Sequence, residues 1–158
     1  MAAGSETSIS LIRTFTHATE GYRWNEVPVK EYPATGTVSQ NVTKQVLFEP
    51  GEDLPAELRY FEVAPGGYSA LERHQHVHAV LILRGRGAVL VGDEVRQIQE
   101  HDLIYTPPET WHQFYAADDS PLGFLCLVNG DRDRPSRPTP EDIEELEKKN
   151  DLKDVIRY

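Results

Sequence analysis

From Asn41 to Val128 the chain is a succession of short runs of β-type residues at close spacing, separated by turn residues. That pattern predicts an all-β sandwich or barrel. The runs are 44–48, 58–63, 69–74, 78–83, 88–91, 94–98, 103–106, 112–115 and 122–128. Val91-Gly92-Asp93-Glu94 reads as a hairpin turn, because glycine supplies the positive φ that a two-residue loop needs. Gly85 and Gly87 read as the brackets of a second tight bend. At 158 residues the whole is expected to be one domain with a core of its own.

Residues 1–43 read as an N-terminal tail and extended arm, loose over about the first eight residues and then broken by Gly21, Pro28, Pro33 and Gly36. The barrel is expected over 44–130, and a polar linker and surface helix over 131–158. Thr139 is the expected helix N-cap, with Pro140 in the first turn and acids behind it. The helix is expected to run to about Lys149 with Asn150 at its end, and only Ile143 and Leu146 give it an apolar stripe.

Two runs, 79–83 and 124–128, are apolar on both faces. A strand wetted on one side should alternate, so these need cover outside the barrel. A second copy of the chain is the simplest cover, and a homodimer is expected.

The net charge of −10 argues against nucleic-acid binding, which needs a basic surface to displace counterions. No apolar run approaches the ~18 residues of a membrane span, and the N-terminus does not read as a signal peptide. The expectation is a cytoplasmic protein with no membrane or nucleic-acid partner. Cys126 is the single cysteine; within an apolar run it reads as a buried, inert thiol.

Chemistry concentrates in the segment Leu71-Glu72-Arg73-His74-Gln75-His76-Val77-His78-Ala79. Alternation along a strand puts Glu72 and His74 on one face. After a turn over 75–77, His78, Val80 and Ile82 share a face of the next strand. If that face is the interior, Glu72, His74 and His78 converge beside the turn, with Val80, Ile82 and Phe114 as apolar lining. Imidazole and carboxylate so gathered are ligands for Zn, Fe, Ni or Mn. His76 is placed in the turn as a possible alternative ligand. No Arg or Lys is clearly placed inside to hold a phosphate.

At these residues the sequence resembles the cupin superfamily. Gly66, Glu72-X-His74, His78 and Gly85 keep the spacing of the family's first motif. Pro107-X-Glu109 and His112 keep that of the second, with Trp111-His112-Gln113-Phe114 in its strand. The carboxylate has moved: Glu72 stands at the family's first His, and His78 at its Glu. Positions 101 and 109, glycine in the family, are His101 and Glu109 here. The resemblance implies a double-stranded β-helix (jelly-roll) barrel binding one divalent transition metal (Fe, Ni, Mn or Zn) through Glu72, His74, His78 and His112. It implies a metal-dependent enzyme acting on a small anionic or chelating organic substrate, a dioxygenase or an enolate-type lyase or isomerase. A non-catalytic small-molecule-binding or sensing cupin and a metal-free structural cupin are the alternatives.

Overall fold

The computed structural model describes residues 12–18, 20–32, 38–149 and 152–158. The loose tail expected over the first eight residues, and Asn150 as the helix end, lie outside them. Among the described residues ten strands and one α-helix form in chain order: β1 Phe15–Ala18, β2 Gly21–Trp24, β3 Lys30–Tyr32, β4 Gln40–Phe48, β5 Ala56–Tyr68, β6 His78–Val91, β7 Glu94–Gln99, β8 Leu103–Thr106, β9 His112–Ala116, β10 Leu122–Asn129 and α1 Pro140–Glu147. A short 3-10 turn, Leu152–Asp154, follows.

Strands β3 to β10 make one sheet in which β10 pairs with both β6 and β5, and β9 also pairs with both. The sheet therefore closes on itself as a barrel, which is the all-β jelly-roll architecture the sequence pattern predicts. β7 and β8 pair with β6. The expected hairpin is present: Val91 pairs with Glu94, and Gly92 has φ +68°.

Three expectations are corrected. The runs 78–83 and 88–91 form one strand of 14 residues, β6. Gly85 and Gly87 lie inside it, where β6 hands over from β10 to β9. The run 69–74 leaves the sheet after Tyr68 and keeps only isolated bridges, Glu72 to His112 and Arg73 to Ser136. Thirdly, β3 and β4 join the barrel sheet, so a boundary at 43/44 falls inside a strand.

The core lies between the sheet's inner faces. Phe61, Phe114 and Phe124 stack through it, with ring centroids 4.4 Å apart for Phe114–Phe124 and 5.4 Å for Phe61–Phe124. Val63, Val80, Ile82, Val89 and Leu122 pack around them. Each such side chain, fully buried, contributes about 1.5–3 kcal/mol. Outside the barrel, the β1–β2 hairpin lays Tyr22 and Trp24 on Tyr60 of β5. Helix α1 starts as expected, with Thr139 and Asp142 in a reciprocal capping box. Leu146, Leu152 and Ile156 then pack on Leu71, Leu90 and Trp111, so the C-terminal segment closes one side of the barrel.

Candidate metal centre

The histidines gather where the chain leaves β5, loops over 69–77 and enters β6, facing the first residue of β9. His78 opens β6 and His112 opens β9. The backbone of Glu72 is tied to that of His112 by a pair of hydrogen bonds, N to O at 3.2 Å and 3.0 Å. This bridge places Glu72 beside His112 although the segment is not a strand. Ligand atoms of His74, His76 and His78 lie within 4.8 Å of one another, and so do those of Glu72, His74 and His112. His74 belongs to both groups. All four residues expected to bind metal are thus together, and His76 joins them: its ring stacks on His74 at 3.7 Å.

Hydrogen bonds fix the ring orientations. The Nδ1–H of His74 donates to the His76 carbonyl at 2.7 Å, and that of His112 to the Thr110 carbonyl at 2.9 Å. Each Nε2 then carries the lone pair, and each is buried with no hydrogen-bond partner among the described residues. A buried acceptor without a partner costs roughly 1–3 kcal/mol. A cation between these nitrogens would remove that cost, and neutral imidazole with Nδ1–H bound to a carbonyl is the usual ligand tautomer. His76 is held from outside: its Nδ1 lies 2.7 Å from a carboxylate oxygen of Asp133. That orients its Nε2 to 3.3 Å from Nε2 of His78. The donor set fits a divalent transition ion.

The same burial tunes protonation. It depresses all four imidazoles below the ordinary histidine range, His112 to about 4. It lifts the Glu72 carboxyl to about 7, with Arg59, Arg137 and Lys44 opposing the rise. Desolvation pushes Asp133 upward too, but hydrogen bonds from Gln75 and His76 override it and hold that carboxyl at about 2.

The histidines line one side of a cavity of about 210 Å³. Its apolar wall is Val42, Phe61, Phe114 and Phe124. Val80 and Ile82, expected there, are buried in the adjacent core instead, because the apolar face of β6 continues inward past His78. The expectation of a pocket without basic residues is also corrected. Lys44, Arg59 and Arg132 line the same cavity as the histidines, and Glu57 pairs with both arginines, at 3.6 Å and 2.8 Å. The described lining thus holds Lys44, Arg59 and Arg132 together with the carboxyls of Glu72 and Asp133. Burial and the neighbouring Arg59 lower the Lys44 pKa. The signal for Arg59 was strand parity: it shares a face with Phe61 and Val63. Arg132 and Asp133 come from the polar linker, whose return to the barrel no local pattern announces. His101 and Glu109, standing where the motif has glycine, adopt positive φ of 75° and 54°, so the backbone keeps the turn shape without the glycine.

Sequence and structure comparisons identify the fold family. A cupin-domain family profile matches residues 59–128. A protein of Rhodospirillum rubrum, 1-methylthio-D-xylulose 5-phosphate methylsulfurylase, is 49% identical over 132 residues, covering 83% of this chain and 84% of that one. The chain belongs to the cupin family. The crystal structure of a cupin-2 domain protein of R. rubrum matches this cupin with TM-score 0.80 and 47% identity, covering 84% of this chain and 89% of that one. A cupin 2 conserved barrel domain protein from Rhodopseudomonas palustris matches with TM-score 0.81 and 46% identity, over 92% and 99% of the two chains. Among the described residues, no helix is long and apolar enough to cross a membrane.

Proposed function

We propose that this cupin is a metal-dependent enzyme that removes the methylthio group from a methylthio-substituted ketose phosphate, as the name of the R. rubrum relative describes for that protein. The observation that carries the reading is the cavity itself. It brings an imidazole–carboxylate cluster together with Lys44, Arg59 and Arg132 and an apolar wall in one enclosure. A substrate that carries a phosphate and a carbonyl beside a thioether matches that combination. Arginine binds phosphate through paired N–H donors, and a cluster only partly neutralised by Glu57 favours a dianion.

Glu72, His74, His78 and His112 are the residues assigned to hold a divalent ion, with His76 beside them. When bound, such an ion supplies Lewis acidity that draws negative charge from a neighbouring carbonyl oxygen. The chain's own residues do the rest. The phosphate anchor fixes the long axis of the sugar. Phe61, Phe114 and Phe124 exclude water from the methylthio carbon. Carbon–sulfur cleavage next to a ketone leaves charge on that ketone, so this reading lies on the enolate-type side of the expected chemistries.

The test is direct. Purified protein, its metal content measured, is supplied with 1-methylthio-D-xylulose 5-phosphate and a small thiol, and the loss of the methylthio group is followed. The expected result is turnover that needs about one metal per chain and is lost in His112→Ala. Arg132→Ala should raise KM about tenfold or more with little change in kcat, as loss of a binding contact does. Metal-replete protein that leaves the compound intact would refute the reading.

A further inference from the structure

The segment that carries Glu72 and His74 is not a strand, so it must be fastened by something other than a ladder. One fastening is a side chain that stays out of the cavity. Gln113 lies on β9 between His112 and Phe114, which both line the cavity. Alternation along the strand sends its side chain to the opposite face. There it is 0% exposed. Its Nε2 donates to the Ser69 carbonyl and to the Arg157 carbonyl, each at 2.7 Å. Its Oε1 accepts from the Arg157 N–H at 2.9 Å and from the Tyr115 hydroxyl at 2.6 Å. A primary amide offers two donors and two acceptor positions, and here every one is used. Ser69, which precedes the ligand-bearing residues, is bonded to Phe114 as well: Ser69 N to Phe114 O at 2.8 Å, and Phe114 N to Ser69 Oγ at 2.9 Å. Leu71, two residues on, packs with Trp111, Leu152 and Ile156.

We infer that Gln113 is a positioning residue for the metal centre, and that the C-terminal segment 152–157 reaches the site through it. This rests on the metal-binding part of the reading above. The amide joins β9, whose first residue is His112, to the start of the segment that carries Glu72 and His74, and joins both to the backbone of Arg157. Ligand atoms of Glu72, His74 and His112 lie within 4.8 Å of one another. That spacing depends on how the segment is set against β9. The bridge between Glu72 and His112 sets it at the ligands themselves, and Gln113 sets it at Ser69. Without the amide, the carbonyls of Ser69 and Arg157, the Arg157 N–H and the Tyr115 hydroxyl each lose a partner, and they regain partners only by moving. Because Ser69 is among them, the movement passes to the ligands.

Metal affinity, measured apart from stability, separates positioning from mere support. Purified parent protein and variants are titrated with Zn2+, Ni2+ and Mn2+ against a chromophoric chelator, at a temperature where near-UV circular dichroism shows each to be folded. Gln113→Met adds no charge and removes every bond of the amide. It should weaken metal binding by about tenfold or more, as loss of a group that orients ligands does. Arg157→Pro removes only the N–H that Oε1 accepts, and should weaken binding by about threefold or more, as loss of one hydrogen bond does. Arg157→Ala keeps that N–H and should bind as the parent does. Leu146→Ala is the control for stability: it cuts into the apolar cluster that holds Leu71, lowers the melting temperature and should leave the affinity unchanged. Should Gln113→Met fail to fold, the two Arg157 variants decide. A smaller loss than expected in Gln113→Met or Arg157→Pro, or an equal loss in either control, would overturn the inference and leave the metal centre standing. A parent protein that binds none of these ions would overturn both.

Discussion

His74 and His112 are set in one way: Nδ1–H on a backbone carbonyl, Nε2 bare and buried. His76 is set in another, by a carboxylate that arrives from the linker. Its position bears on a question that spacing alone left open, whether His76 joins the ligands or only fills the turn. If His76 binds metal, Asp133→Asn should weaken binding by about 10–100-fold, the usual cost of losing the group that orients a ligand imidazole. Competition titration of the purified variant reads this directly, and unchanged affinity would take His76 out of the ligand set. Protonation supplies a second test. In metal-free protein the folded His112 binds its proton near pH 4, whereas the unfolded one binds near 6.5. Between those values the unfolded state holds more protons, so stability falls as pH drops, by roughly 3 kcal/mol from His112 alone. Three more depressed imidazoles add to the same trend. Glu72 works in the opposite sense: its carboxyl, raised from 4.5 to about 7, contributes stability that is full below the lower value and lost as pH rises through the upper one. Four groups outweigh one. The melting temperature of metal-free protein should therefore fall from pH 6.5 to 4, and Glu72→Gln should make the fall steeper. A flat melting temperature over that interval would contradict the burial of neutral imidazoles.

At the scale of elements, the strand runs from 94 to 128 were legible because each is short, rich in β-type residues and bounded by turn residues. The long strands were less so. β6 looked like two runs because Gly85 and Gly87 resemble turn signals, yet their work is to let one strand change partners. At Gly85 φ is +71° and an added Cβ would overlap the Pro121 carbonyl; at Gly87 it would overlap the Tyr115 carbonyl. Both carbonyls lie on the neighbouring strands or their approach, so the clash is with backbone and cannot be relieved by a rotamer. Gly85→Ala and Gly87→Ala should each destabilise the fold by more than about 2 kcal/mol, read as a lower denaturant midpoint. Alanine tolerated at both would mean that β6 bends elsewhere. The site's segment shows the reverse limit. Glu72 and His74 were placed on one face by strand parity, and they do converge, but a two-bond bridge to His112 brings them there rather than a ladder. The contributions of Arg132 and Asp133 were not legible at all. Their linker is polar and proline-rich, and only the tertiary return of the chain after β10 brings it over the histidines.

For the whole molecule, the two-faced apolar runs lead to a face that the described residues leave partly uncovered. On β6, Ala79 pairs with Tyr105 and Leu127, and Leu81 pairs with Leu103 and Leu125, while Leu127 also pairs with Leu58 of β5. Cross-strand neighbours share a face, so these residues form one continuous apolar patch over β8, β6, β10 and β5. The β1–β2 hairpin covers the part near Tyr60. Among the described residues nothing covers the rest: Leu103 is 79% exposed, Tyr105 61% and Leu127 44%. A row of leucines wetted in this way is unfavourable by about 25 cal/mol for each Å² left in water, and a second copy related by a two-fold axis offers the same surface in return. The expected outcome is a dimer in size-exclusion chromatography with light scattering, burying about 800 Å² on each partner. Leu103→Glu combined with Leu127→Glu should give a monomer that keeps its metal, because neither side chain lines the cavity. A monomeric parent protein would show that the face stays open, and the dimer would have to be abandoned with the cavity chemistry unaffected.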